Sequence, residues 1–275
     1  MITTARRLAG MVRVILHLLR SALTMALVMP WVGPQRRTRI VRNWCQAVLD
    51  LFRLDLAVTG TPACQTTAAR PVLLVGNHIS WIDIYAYMSV MDVRFVAKSE
   101  VGGWPLIGWF ARRLGTIFVT RDSRRDAARA GSEIGRALGG GAAVCVFPEG
   151  TTTDGSVVLP FSGVLLQPAV ETRALVQPVA IAYRDAEGRR SPRMAFIGEE
   201  TLVASIWSLV VGERTLIELH FLEPVASDGR SRRQLAGECE LAVRTALGLV
   251  TPTPAVPAQA RSVTSGVALA AFPGH

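Results

Sequence analysis

Cysteine is sparse and unpaired in this sequence: Cys45, Cys64, Cys145 and Cys239 are widely spaced and form no Cys-x-x-Cys pair. That excludes a disulfide framework and offers no zinc spacing, so a reducing, cytoplasmic setting without metal or cofactor is expected. Lysine is almost absent, with Lys98 the only one among 30 lysines and arginines. The formal charge of +9 therefore rests on guanidinium groups, whose partner should be acidic: nucleic acid, an anionic membrane or an acidic carrier protein. Enzyme signatures are missing as well. There is no Gly-x-Ser-x-Gly elbow, no Gly-x4-Gly-Lys-Ser/Thr loop, no His-Glu-x-x-His and no Gly-x-Gly-x-x-Gly after a strand. Gly139-Gly140-Gly141 precedes a strand and opens no helix, which argues against a nucleotide cradle.

Long uncharged apolar runs are also lacking. The start is basic (Arg6, Arg7, Arg13), and His17 and Arg20 interrupt the apolar stretch beyond it, leaving only residues 21–33 free of charge. A bilayer span needs about 20 apolar residues, so a segment lying in the interface is expected, with arginines at the headgroups and Trp31 dipping inward. Arg36, Arg37, Arg39 and Arg42 come next, then Trp44, Val48, Leu51 and Phe52 at helical spacing. Residues 1–53 thus read as a two-helix membrane-docking segment.

What is present suits one large core: 275 residues, 50% hydrophobic. From residue 54 apolar strands alternate with helices. Strands are expected at 54–59, 71–75, 93–97, 115–120, 142–147, 175–183, 194–197 and 215–222, with a loop at 61–70. Helices are expected from residue 84 to 91, from Pro105 to 113, and over 123–138, 163–172, 202–211 and 232–247. The alternation predicts an α/β fold, a mixed sheet flanked by helices, over residues 54–250. Beyond residue 251 Pro, Ala, Ser and Thr accumulate and periodicity ends, so 251–275 reads as a disordered tail.

The chemistry concentrates in Asn77-His78-Ile79-Ser80-Trp81-Ile82-Asp83, directly after the apolar run at 71–75. An imidazole accepts a proton near neutral pH, and a carboxylate five residues on can orient its other nitrogen, a general base for a hydroxyl. The same residues also read as a capping box, Ser80 as N-cap and Asp83 at the third helical position. With no evident nucleophile, direct attack by a bound hydroxyl is simpler than a covalent enzyme intermediate. His220 falls on the polar face of a strand, His17 in the apolar start at the membrane surface, and Cys145 in the core.

A second loop, Phe147-Pro148-Glu149-Gly150-Thr151, completes a pattern. Together with Asn77-His78-x4-Asp83, with Gly115-Thr116-Ile117-Phe118-Val119-Thr120-Arg121, with Val176-Gln177-Pro178-Val179 and with Lys98-Ser99-Glu100, it resembles the glycerolipid acyltransferase family of 1-acylglycerol-3-phosphate O-acyltransferase type. The resemblance covers residues 70–185 strongly. It implies acyl transfer from an acyl carrier protein or coenzyme A thioester to the free hydroxyl of a lysolipid at a membrane surface. The setting it implies is the cytoplasmic face of a bacterial inner membrane, with no nucleic acid involved. By the same resemblance His78 is the base and Asp83 its orienter, while Lys98, Arg121, Glu149, Gly150 and Thr151 surround the acceptor's polar head. One position departs from the pattern: Thr152 stands where the family commonly has arginine. Losing that guanidinium removes a bidentate phosphate partner. The acceptors implied are therefore 1-acylglycerol-3-phosphate first, and lyso-ornithine lipid as the alternative. A non-catalytic basic module, binding membrane or nucleic acid through residues 1–45, is the competing class. It requires His78, Asp83 and Glu149 to lie apart.

Overall fold

The computed structural model describes residues 2–66, 70–120 and 124–249. Its strands are β1 (Leu54–Thr59), β2 (Val72–Gly76), β3 (Arg94–Lys98), β4 (Ile117–Val119), β5 (Val144–Val146), β6 (Leu175–Arg184), β7 (Thr215–Phe221) and β8 (Val225–Ala226). The helices are α1 (Ile2–Leu23), α2 (Pro34–Leu51), α3 (Ala63–Thr66), α4 (Asp83–Val90), α5 (Ser99–Gly102), α6 (Ile107–Arg113), α7 (Arg124–Gly139), α8 (Gln167–Glu171), α9 (Leu202–Leu209) and α10 (Arg232–Ala246). The strands form one mixed sheet in the order β1-β7-β6-β2-β5-β3-β4, with β8 against β6. From β6 to β4 every pair is parallel, and β7 runs antiparallel to β6.

Strand β2 is apolar at consecutive positions because both faces of the sheet are covered. Val72 and Leu74 join the cluster that includes Val48 and Leu49 of α2 and Ala86 and Tyr87 of α4. Leu73 and Val75 join the opposite cluster, with Ile134 of α7, Ala169 of α8 and Leu235 of α10. Each such side chain contributes roughly 1.5–3 kcal/mol by leaving water. Pro34 opens α2 in its first turn, and a capping box of Ser231 and Gln234 opens α10.

Three differences from the expected layout have local causes. Residues 194–197 are not a strand. A 3-10 turn, Pro192–Met194, occupies the start, and Phe196 pairs with loops, donating to the Ile79 carbonyl at 2.9 Å and accepting from Thr152 Oγ1. The expected loop at 61–70 contains the one-turn α3, pinned by Ala63 N donating to buried Gln177 Oε1 at 2.8 Å. At the start, helical structure runs unbroken through residue 31, and the stretch Thr4–Trp31, 28 residues, is long and apolar enough to cross a membrane by length and composition. The helix is two-sided: Val14 is buried, while Leu8, Val12, Ile15, Leu16, Leu19 and Leu23 of α1 form an exposed apolar stripe that Leu27 continues beyond it. The expected tail at 251–275 lies outside the described residues.

Candidate active site

Parallel strands place their carboxyl ends at one edge of the sheet, and connecting loops there build ligand sites. His78 comes after β2 at that edge, the Phe147 to Thr151 loop after β5, and Lys98 ends β3. Asn77, fully buried, extends the β2–β6 ladder with its side chain: Nδ2 donates to the Ile181 carbonyl at 3.0 Å, and Ile181 N donates to Oδ1 at 2.9 Å. Strand pairing thus ends without orphaned amides, and the chain turns to present His78.

Asp83 is 0% exposed and accepts four hydrogen bonds. Oδ2 receives His78 Nδ1 at 2.8 Å, Ile79 N at 2.8 Å and Ser80 N at 3.0 Å. Oδ1 receives the hydroxyl of buried Tyr183 at 2.6 Å. Orientation of the imidazole and closure of the turn that leads into α4 therefore fall on the same oxygen, while α4 itself, with Ile82 at its N-cap, has no side-chain cap. Only half the capping box forms, because Ser80 Oγ accepts from Ile82 N at 3.3 Å and leaves the Asp83 amide to the Ser80 carbonyl. Since a carboxylate only accepts, the His78 proton lies on Nδ1 and Nε2 is left as the basic nitrogen. The imidazole lies flat on Phe147, ring centroids 4.0 Å apart and planes 3° apart.

Glu149 ties the two loops together. Oε1 accepts from His78 N at 2.8 Å and Oε2 from Leu159 N at 2.8 Å, while Thr153 N donates to the His78 carbonyl at 2.9 Å. Burial raises the Glu149 carboxyl above its ordinary range, and the two amide bonds partly offset this. Gly150 closes a turn onto the Phe147 carbonyl at 3.1 Å with φ +76°, a conformation costly for other residues.

His78, Lys98, Gly150 and Thr151 line one cavity of about 610 Å³, whose walls are mainly apolar: Trp44 of α2, Tyr85 and Met88 of α4, Phe95 of β3 and Phe110 of α6. Of the predicted site residues, His78, Asp83 and Glu149 form one bonded unit, and Lys98, Gly150 and Thr151 share the cavity. Arg121 lies outside the described residues. The convergence removes the ground for a non-catalytic module. Sequence patterns do not reveal Tyr183 and Phe147 as partners of the dyad, since both reach it through packing across the sheet. His17 lines the cavity with a buried Nε2. His220 lies on the more exposed face of β7, as expected, with Nδ1 2.6 Å from Thr59 Oγ1 on the neighbouring strand. Cys145 is buried core as expected. Among the described residues no cluster of His, Cys, Asp and Glu could hold a metal ion.

A buried carboxylate behind an imidazole that faces an apolar cavity is an arrangement able to accept a proton from a hydroxyl. In agreement, the family model described as Acyltransferase matches residues 56–182, and the chain belongs to this family of enzymes, which transfer acyl groups. It is 37% identical over 218 residues to the lyso-ornithine lipid O-acyltransferase of Pseudomonas aeruginosa, spanning 79% of this chain and 82% of that one. Identity to the 1-acyl-sn-glycerol-3-phosphate acyltransferase of Neisseria meningitidis is 32% over 212 residues, 77% of this chain and 82% of the relative. The fold matches the crystal structure of the 1-acyl-sn-glycerophosphate acyltransferase PlsC from Thermotoga maritima with a TM-score of 0.69 at 21% identity, over 90% of this chain and 95% of that one.

Proposed function

We propose that the protein transfers a fatty acyl group from a carrier thioester, on acyl carrier protein or coenzyme A, to the free hydroxyl of lyso-ornithine lipid. The observation that carries this reading is His78, held through Nδ1 by buried Asp83, on the wall of the apolar cavity. Nε2 takes the hydroxyl proton as its oxygen attacks the thioester carbonyl. Asp83 stabilises the imidazolium, and collapse of the tetrahedral intermediate breaks the C–S bond and returns the proton to the departing thiolate. The acyl chain lies in the cavity, and no acyl-enzyme forms.

The choice of acceptor rests on charge. Among the described lining residues Lys98 is the only lysine or arginine, and Glu100 lines the same cavity. An ornithine head carries a carboxylate for the first and an ammonium for the second. Thr152, in the place of the family's common arginine, spends its hydroxyl on the Phe196 carbonyl. The second reading, 1-acylglycerol-3-phosphate, is favoured by the Neisseria relative. Assaying purified protein with acyl carrier thioester against both acceptors separates them: higher kcat/KM on lyso-ornithine lipid supports the first, and activity confined to the phosphate acceptor overturns it. The exposed stripe of α1 and Trp31, 85% exposed, support attachment to a membrane, on the cytoplasmic side where the carrier thioester resides.

A further inference from the structure

A second cavity, about 540 Å³, opens at the opposite edge of the sheet. It is walled by the first half of α2, the residues after α4, the start of β3, the α6–β4 turn and the α7–β5 turn. Because β2, β3 and β5 are parallel, this edge lies about one strand length, roughly 17 Å, from the edge that carries His78, although the two cavities adjoin, with Met88 and Leu114 lining both. Four arginines line it, Arg37, Arg42, Arg94 and Arg113, the last with its guanidinium 5.4 Å from the Trp109 ring centroid, against a single carboxylate, Asp92. Asp92 already accepts from Thr38 Oγ1 at 3.1 Å. None of the four arginines is ion-paired with a carboxylate among the described residues.

The arrangement is held in place by the fold. Arg37 Nη2 donates to the Arg113 carbonyl at 2.7 Å, which fixes α2 against α6. The Arg94 side chain lies along Gly115, where a Cβ would stand 3.2 Å from its Nε, and Gly115 has φ +78°. Arg42 Nε is buried with no hydrogen-bond partner among the described residues. Converging like charges repel, and a buried donor without an acceptor costs free energy. An anion with several acceptor oxygens reverses both effects, and guanidinium forks match phosphate best.

We propose that this pocket, which adjoins the acyl cavity at Met88 and Leu114 but does not include His78, is a phosphate-binding site that takes either the phosphate of a lipid headgroup or free inorganic phosphate. The lipid source is within reach of the chain's apolar surface, since exposed Trp31 precedes Arg37 by six residues.

The test titrates the full chain with inorganic phosphate and, separately, with monomeric dihexanoyl phosphatidylglycerol, monitored by isothermal titration calorimetry. Arg42→Gln and Arg94→Gln should each weaken binding about tenfold, as expected for loss of one charge-assisted contact. Asp92→Asn, which removes the opposing charge and keeps an acceptor for Thr38, should tighten it severalfold, a gain that misfolding does not produce. Lys98→Gln, at the other edge, should leave it unchanged. Arginine effects on both probes identify phosphate itself as sufficient, and effects on the lipid alone identify the headgroup. Unchanged affinity for both probes in the arginine variants or in Asp92→Asn, or a loss in Lys98→Gln equal to theirs, overturns the proposal. Acyl transfer at saturating substrate should persist in Arg42→Gln, so failure here is distinct from failure of the enzyme reading.

Discussion

Replacing Tyr183 by phenylalanine deletes one oxygen and tests whether the dyad depends on a residue 100 positions away. The tyrosine is 1% exposed and its hydroxyl donates to Asp83 Oδ1 at 2.6 Å. Burial and the neighbouring Asp83 charge push its titration well above the usual range, so it remains a donor throughout the working pH range. In the variant Oδ1 has no donor, while Oδ2 keeps its three. A hydrogen bond to a charged group contributes about 1.5–3 kcal/mol, and the buried phenyl ring leaves no path for water to replace it. At roughly 2–4 °C per kcal/mol, Tm should fall by roughly 3–12 °C. About 1.4 kcal/mol of the loss is expected in the transition state, where His78 becomes cationic, giving a kcat about tenfold lower. KM for the acyl donor should not move, because Tyr183 does not line the cavity. Steady-state kinetics and calorimetry read both effects. A kcat within twofold of wild type at unchanged Tm would refute the idea that Tyr183 positions Asp83.

Four further outcomes are expected. His78→Ala should lower acyl transfer by at least about a thousandfold with the circular dichroism spectrum intact, and near-normal turnover would remove His78 as the base. For Glu149 the sign is set by its raised carboxyl pKa. Above the ordinary value of 4.5 the folded protein still holds a proton that the unfolded chain has released. The contribution of this group is full below that pH and is lost as pH rises through the folded value. Denaturant titrations of wild type and Glu149→Gln should therefore differ by an amount that shrinks with rising pH over that window, and a pH-independent difference would refute the burial effect. Gly76→Ala should destabilise by about 1–3 kcal/mol, because the new Cβ would crowd the buried Tyr87 hydroxyl; an unchanged Cm would be inconsistent with that packing. Binding to anionic vesicles should survive high salt in wild type and be lost in Leu16→Asp/Leu19→Asp, and salt release of the wild type would show that charge alone holds it.

Legibility of the sequence tracked the range of the interactions. The apolar runs that became β2 and β5 were readable because burial on both faces leaves a local trace in composition. His78, Asp83 and the Glu149 loop were readable as candidates because each lies within a short, ordered motif. What the motif could not convey is that Glu149 spends both oxygens on backbone amides of two loops, since that depends on the β2–β5 register. Tyr183 was hidden for a related reason: it reads as one more apolar position in β6 until β6 is laid beside β2. The strand expected at 194–197 failed because alternation alone does not supply a neighbour, and no sheet edge reaches it. Counting charges understated α1, whose Arg6, Arg13 and Arg20 recur every seven residues and so share one face, leaving another side apolar.

Asp83 is the first residue of α4, and its single oxygen Oδ2 holds His78 and the Ile79 and Ser80 amides, which makes the start of that helix and the imidazole one rigid joint. Ile84, Tyr85 and Met88 on the same helix form the wall against which an acyl chain would press. Whatever fills the cavity therefore loads the lever to which the base is bolted. A chain too short to reach Met88, or too bulky beside Tyr85, would be sensed at Nε2 as a change of aim, and selectivity for chain length should appear in kcat as well as in KM.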